Sequence, residues 1–297
     1  MSTSRVLRAG SFLLASLLFL VGWAFWFEPR VLVAREAALD VPRWDSAHEG
    51  LRIALLADLH VGSPHHGLAK LREIVARVNE AEPDLILLLG DFVIQGVKGG
   101  TFVPPEEAAA ELSKLRALHG TFGVLGNHDW WLDGPRVAAA LERAGITLLE
   151  NRSAKLTING RPLWLAGVSD YMASQPDVKA ALADVPEDQP VLLLSHNPDI
   201  FPQVPQRVAL TVAGHTHGGQ VDLPLLGRLV VPSEFGDRYA AGHVVENGRH
   251  LYVSTGTGTS ILPVRFRVPP EWGLLTLRSL ERASSPDSTA SPGWTFR

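Results

Sequence analysis

The 297-residue chain contains no cysteine. That absence excludes a disulfide framework, a thiolate zinc or iron–sulfur site and a cysteine nucleophile. It leaves the compartment open, because a cysteine-free chain suits either side of a membrane. Positive charge is also short: 27 Lys and Arg stand against 31 Asp and Glu, a net charge of −4. A nucleic-acid partner held by counterion release is therefore not expected. No internal repeat is visible. Apolar residues, by contrast, are plentiful at 46%, and they are unevenly spread. Nineteen consecutive residues, Ala9–Phe27, carry no charge.

As a helix this run would rise about 28 Å, close to the thickness of a bilayer's hydrocarbon core. Arg5 and Arg8 precede it, and Trp23, Phe25, Trp26 and Phe27 crowd its far end, where an aromatic belt would lie. A cleaved signal peptide would be shorter and end in small residues, whereas Trp-Ala-Phe-Trp-Phe is a poor cleavage site. Residues 1–30 are therefore read as one uncleaved transmembrane helix. Arg5 and Arg8 favour a cytoplasmic N-terminus and an extracytoplasmic remainder. After the run, Arg30, Arg35 and Arg43 are offset by Glu28, Glu36 and Asp40.

Beyond the anchor, short apolar runs alternate with turn signals. Strands are expected at Leu51–Ala57, Leu85–Leu89, Phe122–Leu125, Leu163–Val168, Val191–Leu194, Val208–Ala213, Leu251–Ser254 and Leu274–Leu277. Helices are expected at Leu68–Val78, whose apolar residues share one face, and at Pro105–Leu118 and Pro135–Ala144, which both open on proline. Strand, helix, strand in this order predicts an α/β sheet domain over residues 31–280, with a second or mixed sheet in its strand-rich second half. Ser/Pro-rich Glu281–Arg297 reads as a disordered tail.

Five polar clusters follow apolar runs: Asp58-Leu59-His60, Gly90-Asp91, Gly126-Asn127-His128-Asp129, Ser195-His196-Asn197 and Gly214-His215-Thr216-His217. Each falls where a strand gives way to a loop, the edge at which open α/β sheets build ligand sites. On an extended segment, side chains two apart point the same way, so Asp58 can converge with His60, and His215 with His217. Imidazole, carboxylate and amide ligands without sulfur suit manganese, iron, zinc or similar cations. Singly, each cluster reads more simply as a turn or a core histidine. Together they hold five of the eleven histidines in strand-end positions.

The ordered set resembles the full signature of the calcineurin-like metallophosphoesterases. His217-Gly218-Gly219-Gln220, Tyr252-Val253-Ser254-Thr255-Gly256 and Pro263-Val264-Arg265 are similar to a bacterial, membrane-anchored branch of that family. The resemblance implies a sandwich of two mixed β-sheets flanked by helices, and a centre of two divalent ions: manganese, iron, zinc or a mixture. It implies that Asp58, His60 and His217 hold one ion, with Asp91 bridging to the second. Asn127, His196 and His215 complete the coordination of that second ion, and His128 sits beside the phosphate to stabilise charge or protonate the leaving oxygen. No ligand position departs from the pattern.

The implied activity is hydrolysis of a phosphodiester, phosphomonoester or pyrophosphate bond through attack by metal-activated hydroxide, at the bacterial cytoplasmic membrane. The substrate is either a lipid-linked phosphoester or a soluble phosphorylated small molecule. A UDP-2,3-diacylglucosamine pyrophosphohydrolase of lipid A synthesis is the alternative within this class, and would need a cytoplasmic site. A non-catalytic, metal-stabilised membrane scaffold is the alternative outside it. Trp130 and Trp131 read either as an aromatic lip of the site or as core packing. Arg265 and Arg267, alternating with Val264 and Phe266, read either as a pair meeting a phosphate or a membrane headgroup or, more simply, as a solvated strand edge.

Overall fold

The computed structural model describes residues 3–280. The segment 281–297, read as a tail, lies outside the described residues. Strand β3 (Leu85–Leu89) shows why the molecule is layered. Leu85, Leu87 and Leu89 enter one core while Ile86 and Leu88 enter another. A strand covered on both faces has no solvent side, so its sequence is apolar throughout.

Two six-stranded sheets result. The first contains β1 (Val33–Val41), β2 (Leu51–Leu56), β3, β4 (Thr121–Val124), β5 (Thr147–Leu148) and β14 (Glu271–Ser279), in the order β1-β14-β2-β3-β4-β5. Strands β2 to β5 run parallel, and β14 is antiparallel to β2. The second contains β6 (Arg152–Ile158), β7 (Arg161–Gly167), β8 (Val191–Leu194), β9 (Leu210–Ala213), β12 (Gly242–Glu246) and β13 (Arg249–Val253), in the order β12-β13-β9-β8-β7-β6. Here β7, β8, β9 and β13 are parallel and the outer two strands antiparallel. A short hairpin of β10 (Asp222–Leu223) and β11 (Gly227–Arg228) belongs to neither sheet.

The inner core fills the space between the sheets, where Ile53, Leu55, Leu87 and Val124 meet Leu165, Leu192, Leu194 and Val212. Outside the first sheet lie α2 (Leu68–Glu80), α3 (Pro105–Leu112) and α4 (Asn127–Arg143). Helix α2 buries Leu71, Ile74, Val75 and Val78, the face its spacing predicts. A separate core under the second sheet gathers Ile200, Phe201 and Tyr239 on Leu193 and Val253.

Besides the two-residue β5, β10 and β11, three strands escape a reading by apolar runs: β1, β6 and β12. All three are sheet edges with mostly half-buried or exposed residues, so their sequences mix polar and apolar side chains. Helix α3 stops at Leu112, short of Leu118. The helix expected from Pro135 is the second part of α4, which begins at Asn127 and is broken at Asp133, where the backbone is extended.

At the N-terminus α1 (Thr3–Gly22) continues as a wide helical turn, Trp23–Phe27, and a 3₁₀ turn, Glu28–Arg30. Residues 10–30 are long and apolar enough to cross a bilayer. The end of this helix is tied to the body: Arg265 N donates to Ala24 O (2.9 Å), Val268 N to Glu28 Oε1 (2.8 Å) and Lys70 Nζ to Arg30 O (2.9 Å).

Leu87→Ala, which empties space between the sheets, should cost about 2–5 kcal/mol of stability. Leu14→Ala on the exposed face of α1 should change it by less than about 0.5 kcal/mol. Denaturant unfolding of the detergent-solubilised chain measures both.

Candidate metal centre

The C-terminal ends of β2, β3, β4, β8 and β9 meet at one edge of the sandwich, and each delivers one of the five clusters. The side chains two apart do converge, but not through the pleat of an extended strand. Asp58, His60, Asp91, His215 and His217 all have left-handed backbone, with φ of 49°, 41°, 57°, 70° and 52°. Such residues cost about 1–3 kcal/mol each and persist only where the surroundings fix them. Here Asp58 N donates to Gly90 O (3.1 Å), His60 N to Asp91 O (2.9 Å) and Gly214 N to His196 O (2.9 Å). His215 N donates to the Asp58 carboxylate at 3.0 Å. Two glycines permit the crowding: a Cβ on Gly126 would stand 2.2 Å from Asp91 Oδ1, and one on Gly214 2.8 Å from Asp58 Oδ2.

Two groups of ligand atoms result, Asp58–His60–His217 and Asp91–His196–His215, and a third, His60–Asp91–His128, overlaps both; the atoms in each lie within 4.8 Å of one another. His60 Nε2 lies 3.1 Å from His217 Nε2, and His217 Nε2 lies 3.8 Å from Asp58 Oδ1. His196 Nε2 lies 3.1 Å from His215 Nδ1 and 3.1 Å from Asn127 Oδ1. Asp91 Oδ2 stands between the groups, 3.3 Å from both His60 Nε2 and His196 Nε2. All seven residues are buried.

This donor set fits divalent cations. His196 Nδ1 is 2.7 Å from Leu89 O, an acceptor, so Nδ1 carries the hydrogen. Nε2 then faces a carboxylate oxygen, an amide oxygen and another imidazole nitrogen, an arrangement that only a shared positive charge makes favourable. Metal–ligand bonds of about 2.0–2.2 Å at tetrahedral angles set neighbouring ligand atoms about 3.3–3.6 Å apart. Most of the separations here are of that size or slightly shorter. The fixed Nδ1–H of His196 is the orienting hydrogen bond that metal-binding imidazoles usually make.

The electrostatics agree. Burial pushes His60 and His215 down to about 3 and His217 well below its ordinary value, so these imidazoles are neutral. Burial pushes the Asp58 carboxyl up to about 7, and the nearby Asp91 charge adds to the rise. Burial opposes charge at His196 as well, yet the Asp91 carboxylate outweighs it and holds the ring well above its ordinary value. Asp91 responds in kind: despite its burial, His196 keeps it well below the carboxylate range.

His128 lies at the rim. Its backbone N donates to Asp91 Oδ1 (2.8 Å), and its Nδ1 is 3.1 Å from Gln95 Oε1. Gln95 Nε2 also donates to His128 O (3.0 Å), so the amide grips the residue twice. Beyond it opens a cavity of about 300 Å³ whose walls include Trp131, Met172, Val230 and Ile261. The two tryptophans divide: Trp130 packs on the helix-side core, while Trp131 is 56% exposed with its ring 4.9 Å from that of His128.

Three supporting groups have roles that the sequence did not reveal. The Asp129 carboxylate accepts from the backbone N of Asp91, Phe92, Val93 and Gly126 at 2.8–3.2 Å, tying two site loops together. Asp170, buried after β7, occupies the strand-end position that marks the other clusters, and that position was its available signal. Arg265 corrects the reading of a solvated edge, since only Arg267 is exposed. The Arg265 guanidinium is fully buried and donates to His217 O (3.1 Å), Thr255 O (3.0 Å) and Gly258 O (2.6 Å). Alternation could not reveal this, because carbonyls of distant loops, and not a strand, set its environment.

A cation binding here must displace the proton from Asp58, so affinity should fall as pH drops below about 7. Manganese titrations at pH 8 and pH 6 in buffers of different ionisation enthalpy should show weaker binding and more proton release at pH 6. Equal affinity and no proton release would contradict the ligand set. Gly126→Ala should abolish binding at both pH values through collision with Asp91.

Comparison with known proteins adds an independent line. The family model described as Calcineurin-like phosphoesterase matches residues 51–219, the stretch that supplies all five clusters. The chain is 31% identical over 261 residues to the uncharacterized metallophosphoesterase YkuE of Bacillus subtilis, covering 87% of this chain and 90% of that one. It is 34% identical over 235 residues to the phosphodiesterase YaeI of Escherichia coli, covering 76% and 82%. A transmembrane protein with metallophosphoesterase domain from Danio rerio is 31% identical over 245 residues, covering 77% of this chain and 54% of that protein. With the signature domain matched across more than half its length, this chain belongs to the calcineurin-like phosphoesterases and is a metal-dependent phosphoric ester hydrolase.

Proposed function

We propose that the protein is a membrane-tethered phosphoesterase with a dinuclear centre. In this reading Asp58, His60 and His217 hold one divalent ion, Asn127, His196 and His215 hold the other, and Asp91 serves both. One observation carries it: a single carboxylate oxygen, Asp91 Oδ2, lies at 3.3 Å from a histidine of each group. A shared ligand must be anionic to offset two cations, and Asp91 is the carboxylate held most firmly in its charged form. Asn127 is neutral and offers an oxygen without adding charge.

Two divalent ions bound there would neutralise a phosphoryl group and make hydroxide accessible at neutral pH. The chain's own residues do the rest. Strand ends and glycine contacts hold the ligands rigid before substrate arrives. The amide of Gln95 takes the His128 Nδ1 hydrogen and leaves Nε2 as the ring atom open to the cavity. Burial holds His128 below its ordinary value, so it is neutral in the free site. An approaching phosphate anion raises its proton affinity, and the acquired proton can pass to the leaving oxygen. The substrate is a phosphodiester, phosphomonoester or pyrophosphate that reaches this cavity.

The tether reading is supported by the apolar helix over residues 10–30 and by relatives described as transmembrane proteins. Arg5 and Arg8 favour an extracytoplasmic domain on the bacterial cytoplasmic membrane. A C-terminal reporter active only outside the cytoplasm should score positive, and a cytoplasmic score would reverse the orientation.

Asp91→Ala should lose both metals and all hydrolysis, read by elemental analysis and turnover of a chromogenic phosphodiester. Retention of two tightly bound metals would defeat the bridging role. His128→Ala should keep both metals and lower kcat about 10²–10⁴-fold for an alkoxide leaving group. The loss should be smaller for p-nitrophenolate, which leaves without a proton. An equal loss for both would remove His128 from proton transfer.

A further inference from the structure

Large apolar side chains are left in solvent along one side of the cavity. The hairpin of β10 and β11 exposes Leu225 and Leu226 at its tip, and the segment leaving it exposes Leu229 and Val230. The facing loop exposes Ile261 and Leu262. The two segments are joined: Gln220 Nε2 donates to Ser260 O (3.1 Å), Ser260 N to Gln220 Oε1 (2.8 Å) and Asp222 N to Phe266 O (3.0 Å). Isolated exposed apolar residues need no explanation, but a contiguous group beside a functional cavity marks a contact surface. Val230 and Ile261 belong to both the patch and the cavity wall.

The same loop carries the end of the apolar helix. Arg265, whose backbone N bonds Ala24 O, lies four residues after Ile261. Four residues span at most about 14 Å, and with the 2.9 Å hydrogen bond to Ala24 the backbone of the cavity wall stands within about 17 Å of the helix end. On the opposite side His65, five residues after His60, packs edge-on against Trp26 at 5.4 Å. The helix end thus grips two loops of the metal centre. Basic groups border it: Arg30 lies over Trp26, and Arg228 and Arg267 line one adjoining cleft together with Arg35, which is paired with Glu271 at 3.2 Å.

We propose that this lip, from the hairpin tip to Ile261–Leu262, is a second membrane contact that beds the mouth of the metal centre on the lipid surface. Its substrate is then the phosphoester headgroup of an amphiphile whose chains remain in the bilayer. The inference rests on the tether reading above and deepens it. Apolar side chains enter beside the acyl chains, the neighbouring arginines meet anionic headgroups, and the cavity opens between them. A soluble partner protein would not require the lip to share a loop with the membrane helix.

Because the chain has no cysteine, Leu225→Cys, Leu18→Cys and Lys155→Cys variants of the full chain each accept a single environment-sensitive fluorophore. In phosphatidylcholine–phosphatidylglycerol vesicles containing acyl-chain nitroxide lipids, the labels at 225 and 18 should be quenched. The label at 155, on the far edge strand β6, should not. Quenching at 18 without quenching at 225 overturns the lip and leaves the tether standing. No quenching at 18 overturns the tether and this proposal with it. A spectral shift at 225 that grows with protein concentration, without lipid quenching, assigns the patch to a second copy and also overturns it. In a Leu225→Asp/Leu226→Asp variant, compare turnover of a vesicle-embedded diacylglycerol p-nitrophenyl phosphodiester with that of soluble bis(p-nitrophenyl) phosphate. The ratio should fall at least tenfold, and an unchanged ratio overturns the amphiphilic substrate.

Discussion

Asp91 places a negative charge in a buried cleft between two histidines, and the surrounding loops are arranged to keep it there. Its Oδ2 faces His60 and His196, while its Oδ1 accepts from the backbone of His128 at the start of α4. Its own backbone, left-handed and unfavourable for a side chain, is held by the Asp129 carboxylate. Gly126 has no side chain because the Asp91 carboxylate occupies that space. A buried carboxylate is costly unless paired, so the need for positive charge at this point is built into the fold. The neutral imidazoles and the amide of Asn127 around it supply lone pairs and no compensating charge of their own, apart from His196. In the proposed reading two divalent cations would meet that need, and a phosphoryl group is the anion such a pair would attract.

The sandwich makes this strain and charge tolerable. Five strand ends are fixed by cores on both faces of the sheets, so the loops that follow start from rigid positions. Arg265 adds a second support, fastening the carbonyl of His217 to those of Thr255 and Gly258. Through its backbone the same residue holds the end of the apolar helix. The apolar helix and the site geometry therefore share a structural element.

What could be read from sequence follows the same physics. Central strands such as Leu85–Leu89 announce themselves because both faces are buried. The edge strands Val33–Val41 and Arg152–Ile158 do not, because solvent on one side admits lysine, arginine and glutamate. The five clusters stood out as polar residues directly after apolar runs, and the chain brings them to one edge. The left-handed backbone that turns Asp58 toward His217 has no signature in a non-glycine sequence. Nor do Asp129 and Arg265 advertise their roles, which depend on loops far away in the chain. The tryptophan pair was readable only as a choice, and tertiary packing sends Trp130 inward and Trp131 to the cavity.

The proposed centre depends on one carboxylate serving two ions. Its most direct test is a crystal structure of the manganese-loaded full chain with anomalous scattering data. It should show two peaks about 3.5–4 Å apart, with Asp91 in contact with both. A single peak, or two peaks without Asp91 between them, would contradict it.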